Sequence, residues 1–114
     1  MVLENEKLNR ILSFVLTDLK GIFGNVLKSM ILYGSYARGD FDEESDIDIM
    51  LLVDMDREKL RQFHAPLAGL SSKIDLEYDI VSSFAMVPYQ EFNEYKELLP
   101  YYRSVDREGV KFSA

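Results

Sequence analysis

The stretch Ser45-Asp46-Ile47-Asp48-Ile49-Met50-Leu51-Leu52-Val53 constrains the fold more than any other part of the chain. From Ile49 to Val53 it is apolar without a break. A strand made of such residues is covered on both faces, which places it inside a sheet and not at an edge. Yet this strand starts with two carboxylates one residue apart. Alternate residues of a strand project from the same face, about 6.6 Å apart along the backbone, so Asp46 and Asp48 share a face. Two carboxylates that converge to ~4 Å repel by about 4 kcal/mol at a surface-like dielectric. Left bare on a buried strand they would stay protonated or be strongly penalised. A positive partner is implied. Divalent cations shared between carboxylates and phosphate oxygens would remove the repulsion, and all-oxygen donors suit Mg²⁺ or Mn²⁺ and not zinc or copper.

Around this strand the pattern reads as alternating helices and strands. Leu8, Ile11, Leu12, Val15, Leu16, Leu19, Ile22 and Phe23 follow the helical period, so a helix is expected from about Glu4 to Phe23, stopped by Gly24. Val26 to Tyr33 reads as a strand, and "GSYARGD" as a turn with room for one helical turn. Beyond Val53, Asp54 or Asp56 is placed to cap a helix from about Arg57 towards Leu70, kinked or interrupted at Pro66. Lys73 to Val81 alternates, with Ile74, Leu76, Tyr78 and Ile80 on one side and Asp75, Glu77 and Asp79 on the other, which predicts a third strand. A helix carrying Phe92, Tyr95, Leu98 and Leu99 should start near Pro88, and a short last one should run from Pro100 to Gly109. The expectation is an α/β (α+β) fold: a small mixed sheet, helices packed on one face, the acids on the other.

With 114 residues the chain makes one domain, 1–114. The absence of cysteine excludes disulfides and thiolate zinc sites. A net charge of −7 argues against a broad nucleic-acid surface. No apolar run reaches the ~20 residues of a membrane span, and the N-terminus does not read as a signal peptide, so no membrane role and a cytoplasmic location are expected.

Gly34 and Ser35 end the strand before the acidic loop. A glycine there lets backbone approach a ligand closely, the following N–H groups can cradle an anion, and Ser35 and Arg38 add a hydroxyl and a fixed cation. A phosphate held beside a two-metal carboxylate site is the arrangement of phosphoryl or nucleotidyl transfer. The turn is neither a Walker loop nor a dinucleotide fingerprint, since both glycine-rich patterns are missing.

Gly34-Ser35-Tyr36-Ala37-Arg38-Gly39 followed by Ser45-Asp46-Ile47-Asp48 and an aliphatic strand resembles the signature of the DNA polymerase beta-like nucleotidyltransferase superfamily. The short chain is similar to its minimal nucleotidyltransferase (MNT) branch, many of whose members act as antitoxins beside a helical HEPN-type RNase toxin. The resemblance implies the nucleotidyltransferase fold and transfer of a nucleoside monophosphate, AMP from ATP, to an acceptor hydroxyl, in that branch a tyrosine of the toxin. It implies that Gly34 and Ser35 hold the phosphates and that Asp46 and Asp48 bind two Mg²⁺ ions, with Mn²⁺ as a substitute. The third family acid matches Asp79 best, with Asp75 and Glu77 as alternatives on the same predicted face. Arg38 is divided evenly between touching phosphate and bracing the acidic turn. A second reading, from another class, is a non-catalytic nucleotide-binding module that masks a partner protein.

The remaining features have plainer readings. Asp40, Asp42, Glu43 and Glu44 are solvated loop charges, His64 is a surface or packing residue, and Tyr101 and Tyr102 are core before they are partner surface.

Overall fold

Asn5 starts the first helix: its side chain accepts a hydrogen bond from the Leu8 amide at 3.0 Å. The computed structural model describes residues 5–113, so the expected first helical residue, Glu4, lies outside the described residues. Helix α1 (Glu6–Phe23) buries Leu8, Ile11, Leu12, Val15, Leu19 and Phe23. It ends at Gly24, whose φ of +62° suits glycine and whose N–H bonds the Lys20 carbonyl. Strand β1 (Leu27–Tyr33) and the four-residue helix α2 (Ser35–Arg38) follow. Strand β2 (Ile47–Val53) is buried at every position except Asp48.

Past β2 the structure departs from the sequence reading. Asp56, not Asp54, caps helix α3 (Arg57–Leu60), accepting from the Lys59 amide at 2.9 Å. A 3₁₀ turn (Arg61–Phe63) leads into helix α4 (His64–Tyr78). Pro66 sits in the first turn of α4, where no helical N–H partner is needed, so it begins a helix and does not kink one. The strand expected over Lys73 to Val81 does not form: most of that segment is the second half of α4. Leu67, Leu70 and Ile74 are buried and Tyr78 is half-buried, a stripe at helical spacing, whereas Leu76, which strand alternation would bury, is 87% exposed. Asp79 ends α4 in the left-handed conformation at φ +53°, one that aspartate tolerates better than most residues.

The third strand is β3 (Ser82–Pro88). Helices α5 (Tyr89–Tyr95) and α6 (Pro100–Glu108) follow, with Pro100 in the first turn of α6, and a fourth strand, β4 (Val110–Ser113), closes the described chain. Leu98 and Leu99 fall between these two helices and are exposed.

The sheet order is β3-β2-β1-β4, with β2 antiparallel to β1 and parallel to β3, a mixed sheet in an α+β fold. The long helices α1 and α4 cover one face: Leu12, Val15, Leu19, Leu67 and Ile74 pack on Leu32, Ile47, Ile49 and Leu51. On the other face Phe92, Tyr102 and Val105 pack on Ile31, Met50, Leu52 and Val87, so the short helices α5 and α6 cover part of the acid-bearing face. Arg57, Glu91 and Tyr102 tie α3, α5 and α6 together: the Arg57 Nε donates to Glu91 Oε1 at 3.0 Å, and the Tyr102 hydroxyl donates to the same carboxylate. Burial and this carboxylate push the Tyr102 phenol up to about 12. Asp48 alternates with Met50 and Leu52 and so lies on this second face, half-buried.

Candidate active site

Gly34 joins β1 to α2 at φ +74°, and its carbonyl accepts from the amides of Ala37 and Arg38, each at 3.1 Å. Gly39, at φ +84°, closes the turn with its N–H on the Ser35 carbonyl at 2.9 Å. Antiparallel pairing sets Tyr33 opposite Asp48. The carboxylate then folds back over the glycine: a Cβ on Gly34 would lie 2.6 Å from Asp48 Oδ2. No larger residue fits while Asp48 keeps this place. The glycine turn and Asp48, fourteen residues apart in sequence, are thus in contact.

Asp48 is half-buried and Asp46 exposed. Burial, reinforced by the nearby Asp46 charge, raises the Asp48 carboxyl above the ordinary carboxylate range, and the Arg38 guanidinium opposes the shift. Arg38 itself braces the loop: its Nε donates to Asp40 Oδ2 at 3.2 Å, and it reaches Glu108 at 3.8 Å. That loop is organised, with Asp42 accepting from the Glu44 amide at 2.9 Å and Tyr36 stacked on Phe41 at 4.3 Å between ring centres. On the same β1 flank of Asp48 stands a pair of tyrosines that the sequence did not reveal. The Tyr33 and Tyr101 hydroxyls are hydrogen-bonded at 2.8 Å, and Tyr101 is exposed while Tyr102, its neighbour, is buried in the core.

The three acids read as candidates for a third ligand are carried by α4 and its cap, not by a strand. Glu77 is exposed on the helix. Asp75 is engaged elsewhere: its Oδ1 accepts from both the amide and the hydroxyl of Ser82 at 2.9 Å, joining α4 to the start of β3. Asp79 lines a shallow cavity of about 240 Å³ with Glu43, Glu44, Asp46 and Asp75. Among the described residues no three acidic or imidazole side chains gather to hold one ion. His64 lies away from the acids, on a cavity of about 610 Å³ between α3, α4 and β3.

The role of Asp75 is testable. Asp75→Ala strands the Ser82 amide, while the Ser82 hydroxyl keeps its bond to the Ser71 hydroxyl at 2.9 Å, so it should lower stability by about 1–3 kcal/mol while leaving nucleotide binding intact. Thermal melts with and without Mg-ATP separate the two effects; an unchanged melting point with lost nucleotide binding would make Asp75 a ligand.

The strand expected from Asp46 begins at Ile47, so Asp46 precedes it while Asp48 projects from it against Gly34. Their charges still act on one another, and such all-oxygen donors suit a hard divalent cation.

Comparison with known proteins agrees with this geometry. A family model for the nucleotidyltransferase domain matches residues 8–109. Two proteins of Methanocaldococcus jannaschii are similar in sequence. One, "Putative protein adenylyltransferase MJ0141", is 43% identical over 58% of this chain and 65% of its own length. The other, "Putative protein adenylyltransferase MJ0604", is 37% identical over 80% of this chain and 83% of its own. The chain thus spans a little under two thirds of the first relative. Two solved structures share the fold. A mutant form of the toxin–antitoxin MntA-HpeT aligns with a TM-score of 0.52 at 16% identity, over 89% of this chain and 73% of the other. A toxin–antitoxin with AMP-PNP aligns at 0.51 and 17%, over 98% and 75%. No helix among the described residues is long and apolar enough to cross a membrane. With its glycine turn, its paired aspartates and a family model matched along nearly its whole length, the chain belongs to the nucleotidyltransferase domain family.

Proposed function

We propose that this domain transfers a nucleoside monophosphate, AMP from ATP, to a hydroxyl of a partner protein, using Mg²⁺ or Mn²⁺. The observation that carries this reading is the Asp48 carboxylate lying against Gly34, with the Asp46 charge close by, just before the strand. Asp46 and Asp48 would hold the cations. Bound there, the cations would shield the triphosphate and stabilise the charge of the leaving pyrophosphate. Gly34 lets the phosphate chain approach the backbone, Ser35 supplies a hydroxyl donor, and Arg38 supplies positive charge from the same turn. The Tyr33–Tyr101 pair stands beside Asp48 on the β1 flank. The names of the M. jannaschii relatives support a protein acceptor, and the toxin–antitoxin neighbours support a partner, for which a HEPN-type toxin tyrosine is the specific proposal.

Mg-ATP should raise the melting temperature, by an amount that grows with ligand concentration, and ATP with a chelator should do much less. Equal shifts with and without metal would count against the cation reading. A specific observation also favours the masking function. Tyr95, Leu98, Leu99 and Tyr101 are exposed together around the α5–α6 junction, the kind of apolar surface that a partner covers. Incubating the partner with labelled ATP and Mg²⁺ decides: label on the partner means transfer, whereas inhibition without label means masking alone.

A further inference from the structure

The parallel register of β2 and β3 decides what stands beside Asp48. Ile47 pairs with Ser82, Asp48 with Ser83 and Ile49 with Phe84. Phe84 and Met86 pack into the core under α1 and α4, while Val87 packs with Met50 and Leu52 on the opposite face. Alternation then puts Ser83 on the face of Asp48, one strand spacing away at about 4.8 Å, and it is exposed there. The place level with Asp48 on the neighbouring strand is therefore a neutral hydroxyl. None of the three candidate acids holds it. Asp75 is bonded to Ser82, Glu77 is exposed on α4, and Asp79 caps α4 ahead of the paired residues, which begin at Ser82. The other flank of Asp48 is Tyr33, also neutral at physiological pH.

Two carboxylates leave much of the charge of a divalent cation pair unmatched. Affinity of oxygen sites for hard cations follows the number of charged ligands, so the triphosphate must supply what β3 does not. Resting on the nucleotidyltransferase reading above, we propose that this is a two-carboxylate metal centre in which Ser83 occupies the third place, and that its cation enters together with the nucleoside triphosphate and not as the bare ion. The site is then organised by its substrate. Without nucleotide, Asp46 and Asp48 carry no tightly held metal.

The experiment measures bare Mn²⁺ binding by paramagnetic resonance, and binding of a non-hydrolysable ATP analogue with and without Mn²⁺ by equilibrium dialysis. The parent should bind bare Mn²⁺ weakly and bind the analogue at least tenfold better with Mn²⁺ than without it. Ser83→Asp should tighten bare Mn²⁺ by about tenfold or more, a gain that disappears when Asp48→Asn is added. Asp79→Asn should match the parent in both assays. Ser83→Glu serves if Ser83→Asp fails to fold, and Ser83→Ala should leave bare Mn²⁺ binding unchanged. The inference is overturned if the parent already binds bare Mn²⁺ as tightly as Ser83→Asp, or if Asp79→Asn loses the ion. It is overturned equally if both acidic variants fold without gaining affinity. If the analogue fails to bind the parent even with Mn²⁺, the nucleotide reading of the site falls, and this inference with it.

Discussion

Asp48→Asn should lose nucleotidyl transfer, by on the order of 10³-fold or more, while the metal-free protein becomes no less stable and gains stability near neutral pH. The reason is the unfavourable state of this carboxylate in the fold. It is half-buried and faces Asp46, and both effects hold its pKa above the ordinary 3.8. Between that value and the raised one, the folded chain binds more protons than the unfolded chain, so stability falls as pH rises through this window. Above the window the penalty is constant. Asparagine removes it, so the variant's advantage should be full at about pH 7 and vanish at about pH 3, where the aspartate is protonated in both states. Exposure screens part of the effect, which keeps the gain modest. Melting curves of parent and variant at the two pH values, without metal, test the sign. A variant less stable than the parent at neutral pH would make Asp48 a structural carboxylate and remove the main support for a cation site.

Gly34→Val is the second large effect, and it should strike folding and binding together. A β-branched residue at φ +74° is strained whatever surrounds it, at a cost of about 1–3 kcal/mol. Here the new Cβ would also meet Asp48 Oδ2 at 2.6 Å, so the carboxylate must leave its position. The variant should melt lower and show no stabilisation by Mg-ATP. A double-mutant cycle separates strain from collision. Adding Asp48→Ala to Gly34→Ala should recover the part of the lost stability that comes from the contact and none of the part that comes from the backbone. A folded Gly34→Val protein with the full Mg-ATP shift would place the phosphate cradle elsewhere.

The features that local physics dictates were legible in the residues alone. The helical stripe of α1, the stop at Gly24, the glycine turn and the buried strand with its acidic start need only the neighbours along the chain, and each took the form expected. The segment Lys73 to Val81 shows where such reading ends. Ile74 and Tyr78 fit a helical stripe as well as an alternating one, so the pattern could not choose between them. The choice lay with the sheet. The place beside β2 is filled by Ser82–Pro88, whose Phe84 and Met86 pack under the helices while Val87 packs on the other face. Ser82–Pro88 holds that strand position, and α4 fills the layer above it. Strand β4 was missed because four residues after a helix carry too little pattern; β1 recruits them by pairing. The candidate site divides in the same way. Asp46, Asp48, Gly34, Ser35 and Arg38 are close in sequence, and their type and spacing pointed to one site. Their long-range neighbours were not legible. Ser83 stands level with Asp48, Tyr101 reaches Tyr33, and Asp75 turns to Ser82, because strand register and helix docking bring distant residues together, and neither is encoded in local periodicity.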